Sequence, residues 1–509
     1  MSASTHRRTG GKSRVVAAAA MAVALVAMAA ALVVARPARS IVDRPTAGTS
    51  AVGEQVSALQ LNSYCPAQMA LPDAGEYGDA EFRASAGDIA STARYAAFGS
   101  VFQLSVASLD PDADQGDDLA ATMEEGAASV SLAGAVGSDS HVLDVRLLES
   151  TTGTGSASSM ASWATTGDLK GIQAASCIAP SLSHAFLVSD TRTGTTQQLV
   201  VANPSSKPTS IEVDVWGSAS GERMESATGG TLTVAAHGEA TMDLSASAVD
   251  QEGLYVTVDS QQTPVSAFVR AVRMDGLTSN GSDFVVPLAQ ATATSIIPSV
   301  SSGDAVRLLA HAAQDTSATL SWVTEQGLRR IKTIDLEAGR VSSMDLGKAP
   351  ADAMALCVAG EGPVDAMLEV TRAGEDGQAD FTSMNAAAPA EASAIALPDG
   401  AEGELTLANL DNGDVKATLK AYGPDGERRS EREVALPANA SARIAVSDLG
   451  DDIASVTLDD PDRKVAWSAR LTRQDLDKAG VSGVAHVDAS PLTPRSERIW
   501  SSRDPSIVR

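Results

Sequence analysis

The strongest constraint on the fold is that the chain repeats itself. Leu199-Val-Val-Ala-Asn203 returns as Leu405-Thr-Leu-Ala-Asn409, and Trp216-Gly217 as Tyr422-Gly423. Val256-Thr-Val-Asp259 returns as Val456-Thr-Leu-Asp459, and Val265–Arg270 as Val465–Arg470. A more diverged copy lies between them: Ser343-Met-Asp-Leu346 repeats Thr241-Met-Asp-Leu244, and Pro363–Met367 repeats Pro264–Phe268. The dipeptide Asp283-Phe284 recurs as Asp380-Phe381, which reads as a shared connector. The period is therefore about 100 residues, the length of a sandwich of seven or so short strands. Within each copy apolar and polar residues alternate, as at Ile211, Val213 and Val215, and Gly, Pro, Ser or Asn bounds each run. Alternation with period two is how half-buried strands read.

These patterns predict an all-β chain of tandem immunoglobulin-like β-sandwich modules. A β-propeller with two blades per repeat is the alternative, since single blades repeat at roughly 40–50 residues. The expected divisions are 53–176, a diverged β unit that matches the others poorly and carries an acidic insertion, and then repeats at 177–292, 293–390 and 391–489. Residues 490–509, polar and proline-containing, read as a disordered tail. Stacked end to end, such units would present a long platform.

The N-terminus is organised differently. Residues 1–14 are a basic tail, and 15–35 is an unbroken run of Ala, Val, Leu and Met. As a helix this run would be roughly 31 Å long, enough to cross a bilayer core of about 30 Å. With basic residues ahead of it, the expectation is a transmembrane signal-anchor, a linker over 36–52, and an extracytoplasmic body. Secretion after cleavage near Val33-Val-Ala35 is the alternative. The net charge is −26, although residues 1–44 are basic, so the body is acidic and repels phosphate backbones. Nucleic acid is thus excluded as a partner. The expected contacts are the membrane, through the one helix, and an envelope protein or polymer.

Few residues suggest chemistry. No Gly-x-Ser-x-Gly elbow, His-Glu-x-x-His helix or Gly-rich phosphate loop is present. The acidic insertion holds Asp110, Asp112 and Asp114, oxygen ligands in alternation that suit calcium. However, Gly116 and Ala121 stand where a calcium loop would place other residues, so a solvated acidic loop is the competing reading. Calcium is the single cofactor candidate. Cys65 and Cys177 lie near the starts of the first and second units, where a disulfide is expected outside the cytoplasm; two unpaired thiols are the alternative. Cys357 stands where other copies have Thr257 and Thr457, a free strand residue. Asn203 and Asn409 are read as caps of the turn leaving a strand, with His311 in the middle copy. Trp216, Trp322, Tyr422 and Trp467 are read as packing residues, with stacking on sugar rings as the functional alternative.

Through Cys177-Ile-Ala-Pro180, Leu199-Val-Val-Ala-Asn-Pro204 and Val213-Asp-Val-Trp-Gly217, the chain resembles an actinobacterial domain-of-unknown-function family. That resemblance implies one N-terminal membrane segment, a β-rich extracytoplasmic body, an envelope setting and no known catalytic residues. The expected function is a non-catalytic, membrane-anchored binding or scaffolding protein of the cell envelope. An accessory subunit of an envelope-polymer or export assembly is one alternative, and an envelope glycan hydrolase is another.

Overall fold

The computed structural model describes residues 52–72, 84–112, 119–124, 127–225 and 230–501. The candidate membrane segment 15–35, the basic tail, most of the linker and Asp114 lie outside the described residues. Among the described residues no helix is long and apolar enough to cross a membrane. A two-stranded sheet of Val52–Ser57 and Ser496–Ser501 belongs to one compact unit, and residues 57–495 form the other.

The larger body is all-β and built from small antiparallel sheets. The stretch that starts near residue 183 shows the plan. Its strands are Ser183–Val188, Thr195–Asn203, Thr209–Trp216, Thr231–Val234, Gly238–Asp243, Leu254–Ser260, Ser266–Asp275 and Thr278–Val285. Numbered one to eight, they form two four-stranded sheets in the orders 1-6-3-4 and 5-2-7-8. Both sheets send side chains to one core, including Phe186, Val213 and Val256 from the first and Leu199, Val201 and Val269 from the second. On Thr209–Trp216, Ile211, Val213 and Val215 are buried while Ser210 and Glu212 are exposed, as a strand with one wet face requires.

The same order recurs three more times. Strands from Gln60–Cys65 to Gly171–Ser176, from Thr292–Pro298 to Ala379–Asn385, and from Ala392–Ala396 to Ala485–Asp488 build pairs of sheets with identical connectivity. In the third unit strands six and seven are one continuous strand, Ala355–Ala373, shared by both sheets. The first unit, which matches poorly by sequence, has the full eight-strand order, because alternation and turns set topology while residue identity is free to drift. Blades of consecutive strands are not formed, since each sheet interleaves strands distant in sequence.

The four units do not run end to end as a platform: they close on one another in a cycle. The first meets the second through stacked Tyr64 and Phe268 and the Tyr64 hydroxyl, which donates to Glu239 Oε1 at 2.7 Å. The second meets the third through Arg273 and Glu369 at 2.7 Å and through Tyr255, stacked on His311 at 3.7 Å. The third meets the fourth through Arg470, which grips Asp304 with two N–H groups at 2.7 and 3.1 Å. The fourth returns to the first through Arg94–Asp399, the Ser159 hydroxyl on the Ala396 carbonyl at 2.7 Å, and Arg473 over the Trp163 ring at 3.6 Å.

Residues 490–495, expected as part of a disordered tail, are ordered. Ser490–Pro491 pairs with Ala392–Ala396, and Leu492 is buried against Phe98, Ala157 and Tyr422. One apolar side chain in a tight inter-unit seam outweighs a locally polar composition.

Cys65 and Cys177 form a disulfide with their Cα atoms 4.4 Å apart, closing 112 residues of chain. In the loop-entropy account a bridge of that span stabilises by about 4–5 kcal/mol. Reduction is therefore expected to lower the melting temperature by several degrees in calorimetry with and without thiol, and identical melts would count against this role. The second large junction effect concerns Arg470 and Asp304, whose side chains are both almost fully buried. Asp304→Ala should cost about 3–5 kcal/mol in urea denaturation, because it strands a buried guanidinium, whereas Asp304→Leu with Arg470→Met should recover most of that loss.

Candidate functional site

The residues that recur in the sequence serve the turns. Asn203 Nδ2 donates to the carbonyls of Lys207 at 2.7 Å and Ala235 at 3.0 Å, while its Oδ1 accepts from Ser205 N at 3.1 Å. Asn409 repeats this with Gly413, Pro437 and Asp411 at 2.8, 2.9 and 2.8 Å. His311 departs: its Nδ1 meets Asp365 Oδ2 at 3.1 Å at the junction of the second and third units. Trp322, Tyr422 and Trp467 are buried, and Trp216 is half-buried beside Tyr255. Cys357 is free and buried, and burial pushes its thiol up to about 11. Asp112 N donates to Asp110 Oδ1 at 2.9 Å, so the Asp110 carboxylate closes a local turn. Among the described residues no group of three or more His, Cys, Asp or Glu gathers as a metal site.

The unexpected centre lies where the eighth strands of all four units meet: Gly171–Ser176, Thr278–Val285, Ala379–Asn385 and Ala485–Asp488. Asp380, fully buried, stands at their starts. Its Oδ2 accepts from Ile172 N of the first unit and Val484 N of the fourth, both at 3.0 Å, its Oδ1 from Phe381 N at 3.1 Å, and it also meets the Ser282 amide of the second. One carboxyl group thus binds backbone from every unit. The approach is close enough that Gly171 and Gly281 are required. Both have positive φ, 128° and 98°, and a Cβ on either would fall within 2.8 Å of the Asp380 carboxylate. Burial pushes Asp380 up to about 8 despite those amides.

Asp283 lies beside it, also buried. Its Oδ2 accepts from Ser383 N at 2.6 Å and the Thr382 hydroxyl at 3.4 Å, and its Oδ1 meets no partner. Burial first, and then the nearby Asp380, hold it well above the ordinary carboxylate range. Sequence reading took these two Asp-Phe dipeptides for connectors. The one signal present was the repeat itself, an Asp-Phe pair at equivalent places in two copies, within strands otherwise rich in Ser, Thr and Asn.

At the other ends of the same strands lies a cavity of about 390 Å³, walled by all four units. Its lining includes small apolar residues such as Pro287, Ala386 and Ala489, the larger Leu61, Ile178 and Trp467, and Ser63, Ser156 and Ser158 with the Cys177 half-cystine. His184 lines it almost fully buried, with Nε2 2.7 Å from the Val265 carbonyl. Burial lowers its pKa, so the ring is neutral at neutral pH. Asp488 is held by His486 Nε2 at 2.9 Å, and Trp467 Nε1 donates to Ser393 Oγ at 2.8 Å. Ser63, Ser156 and Ser158 thus share the cavity with His184 and Asp488, whose ring Nε2 and Oδ1 are engaged by the Val265 carbonyl and by His486.

None of the curated proteins matches this chain. Among solved structures, a glycosyl hydrolase family 2 member from Bacteroides cellulosilyticus overlaps 66% of this chain and 36% of its own at 7% identity and a TM-score of 0.10. Dimeric latent PorU from Porphyromonas gingivalis overlaps 68% and 32% at 9% identity and a TM-score of 0.10. The chain thus spans about a third of these structures, and overlaps at that score describe no common fold. The model of the family of unknown function DUF5719 matches residues 132–447, which run from the first unit into the fourth and make up more than half of the 509 residues, and the chain belongs to that family.

Proposed function

We propose that this protein is a non-catalytic binding or scaffolding protein of the cell envelope, held at the membrane by residues 15–35 with its body outside the cytoplasm. In this reading the four units are variants of the immunoglobulin-like sandwich, closed into a cycle around one recognition pocket. The observation that carries the reading is the central cavity, to which every unit contributes. The disulfide supports an oxidising compartment, since such bonds persist outside the reducing cytosol. A hydrolase would need a pair of carboxylates exposed to substrate. The buried acids Asp283 and Asp380 are sealed from solvent and engaged by backbone, so they are not such a pair.

The test uses the full chain in membranes, with a photo-crosslinking residue in place of Ser156 on the cavity wall. Capture of an envelope molecule, without conversion of envelope glycans by the purified protein, is the expected result. Sustained glycan turnover would overturn the reading in favour of an enzyme. Crosslinks found only from the outer faces, and only to protein, would favour an accessory subunit.

A further inference from the structure

The central cavity carries three features that together specify a class of ligand. First, much of its apolar lining is alanine and proline, beside Leu61, Ile178, Leu288 and Trp467. That lining favours short apolar side groups. Its volume, about 390 Å³, falls within the range of small-molecule sites.

Second, His184 has one nitrogen committed and one free. Nε2 lies 2.7 Å from a carbonyl oxygen, which only accepts, so Nε2 carries the ring proton. Nδ1 of the neutral ring is then an acceptor, and it has no partner among the described residues. The residue is 7% exposed and lines the cavity, so Nδ1 is open to a donor that enters there.

Third, Arg495 contributes a guanidinium to the rim, and no salt bridge engages it among the described residues. The residue is solvent-exposed while lining the cavity. In a chain of net charge −26 an uncompensated cation beside a cavity is unusual, and it favours an anion. A planar guanidinium binds a carboxylate through two parallel hydrogen bonds. Asp488, which also lines the cavity, meets His486 Nε2 at 2.9 Å and forms no ion pair with Arg495.

We infer that the cavity binds a small N-acylated α-amino carboxylate, the chemistry of a peptide carboxy-terminus with short apolar side chains. The carboxylate pairs with Arg495, an amide N–H donates to His184 Nδ1, and the side groups rest on the alanine and proline lining. This rests on the reading of the cavity as a binding site and adds to it the class of ligand.

Binding is measured by ligand-observed NMR and calorimetry on the full chain in detergent, with N-acetyl-Ala-Ala as the probe. The expected result is saturable binding that weakens at least tenfold for the methyl ester, at least threefold for the N-methylated amide, and at least tenfold in Arg495→Gln. His184→Phe should remove the preference for the N–H form while leaving that for the free acid. Because His184 is buried, its variant is judged only if it melts within a few degrees of wild type. Arg495→Gln alters a rim residue and keeps the test decisive if the other variant fails to fold. A longer peptide with the same end distinguishes the sources: it binds equally if the ligand is a chain terminus and is excluded if the ligand is a free small acid. Equal affinity for acid and ester, or unchanged binding in Arg495→Gln, overturns the inference. A neutral molecule captured from Ser156 would do so too, while leaving the pocket reading intact. Absence of any capture from the cavity would overturn both.

Discussion

Replacing Asp380 by alanine is expected to cost on the order of 5 kcal/mol, enough to separate the units of the body or prevent their assembly. The loss does not come from one contact. Asp380 accepts backbone N–H groups of Ile172 and Val484, meets that of Ser282 in the second unit, and accepts that of Phe381 in its own. With the carboxyl group gone, those donors stay buried without acceptors, at about 1–3 kcal/mol each before relaxation. The cavity left between Gly171 and Gly281 cannot refill, because neither has a side chain to move. Asp380→Asn should be milder, since its Oδ1 retains two of the amides while its NH2 faces the others. Gly171→Ala should approach the alanine variant in severity, because its Cβ would enter the carboxylate and its φ of 128° disfavours a side chain. Chemical denaturation followed by fluorescence checks all three. An Asp380→Ala protein that unfolds at the wild-type midpoint would show that the hub is not what holds the cycle.

The second large effect depends on pH. Asp283 is held well above the ordinary carboxylate range and Asp380 is pushed up to about 8, in both cases chiefly by burial. The native state therefore keeps protons that the unfolded chain releases above about pH 4. A state that holds extra protons loses stability as pH rises. The contribution is fully present below about pH 4 and declines as pH rises, through about 8 for Asp380. A single retained proton gives a slope of about 1.4 kcal/mol per pH unit, or about 4 kcal/mol between pH 5 and 8. Asp283→Asn replaces the protonated acid by a neutral group of the same shape, which still accepts from Ser383 N. It should match wild type within about 1–2 kcal/mol at pH 5 and exceed it at pH 8, with a shallower dependence between. General repulsion among surface acids also weakens the fold as pH rises, but it is common to both proteins and cancels in the difference. Parallel stability–pH curves for the two would refute a protonated Asp283.

The fit between sequence and structure varies with the range of the interaction. Asn203 and Asn409 were legible because a side chain that caps a turn bonds carbonyls only a few residues away, so the need is written beside the residue. The first unit was obscured because drift replaced its recognisable residues while the alternation persisted. The tail was misread because Leu492 is a single apolar residue in a polar stretch, and its burial against Phe98 and Tyr422 depends on a seam between units. His311 occupies an asparagine position yet reaches across a junction to stack on Tyr255, which no local pattern reveals.

The central site was the least legible part. Asp283-Phe284 and Asp380-Phe381 stood out as a repeat, and a repeat invites a uniform role, but the two aspartates do different things. Asp380 gathers amides from every unit, whereas Asp283 serves a neighbour and keeps one oxygen unmatched. The cavity draws on residues from Ser63 to Arg495, none of which signals the others along the chain.

By itself, the sequence determined an all-β body of repeated strands, since alternation and turn residues act within a few positions and need no partner. Only the tertiary structure decided that the units close on one another, that one buried carboxyl group joins all four, and that a cavity opens at their centre. Those features come from contacts between residues one to four repeats apart. There, the shape of each junction and the exclusion of water, and no local preference, set which groups must meet.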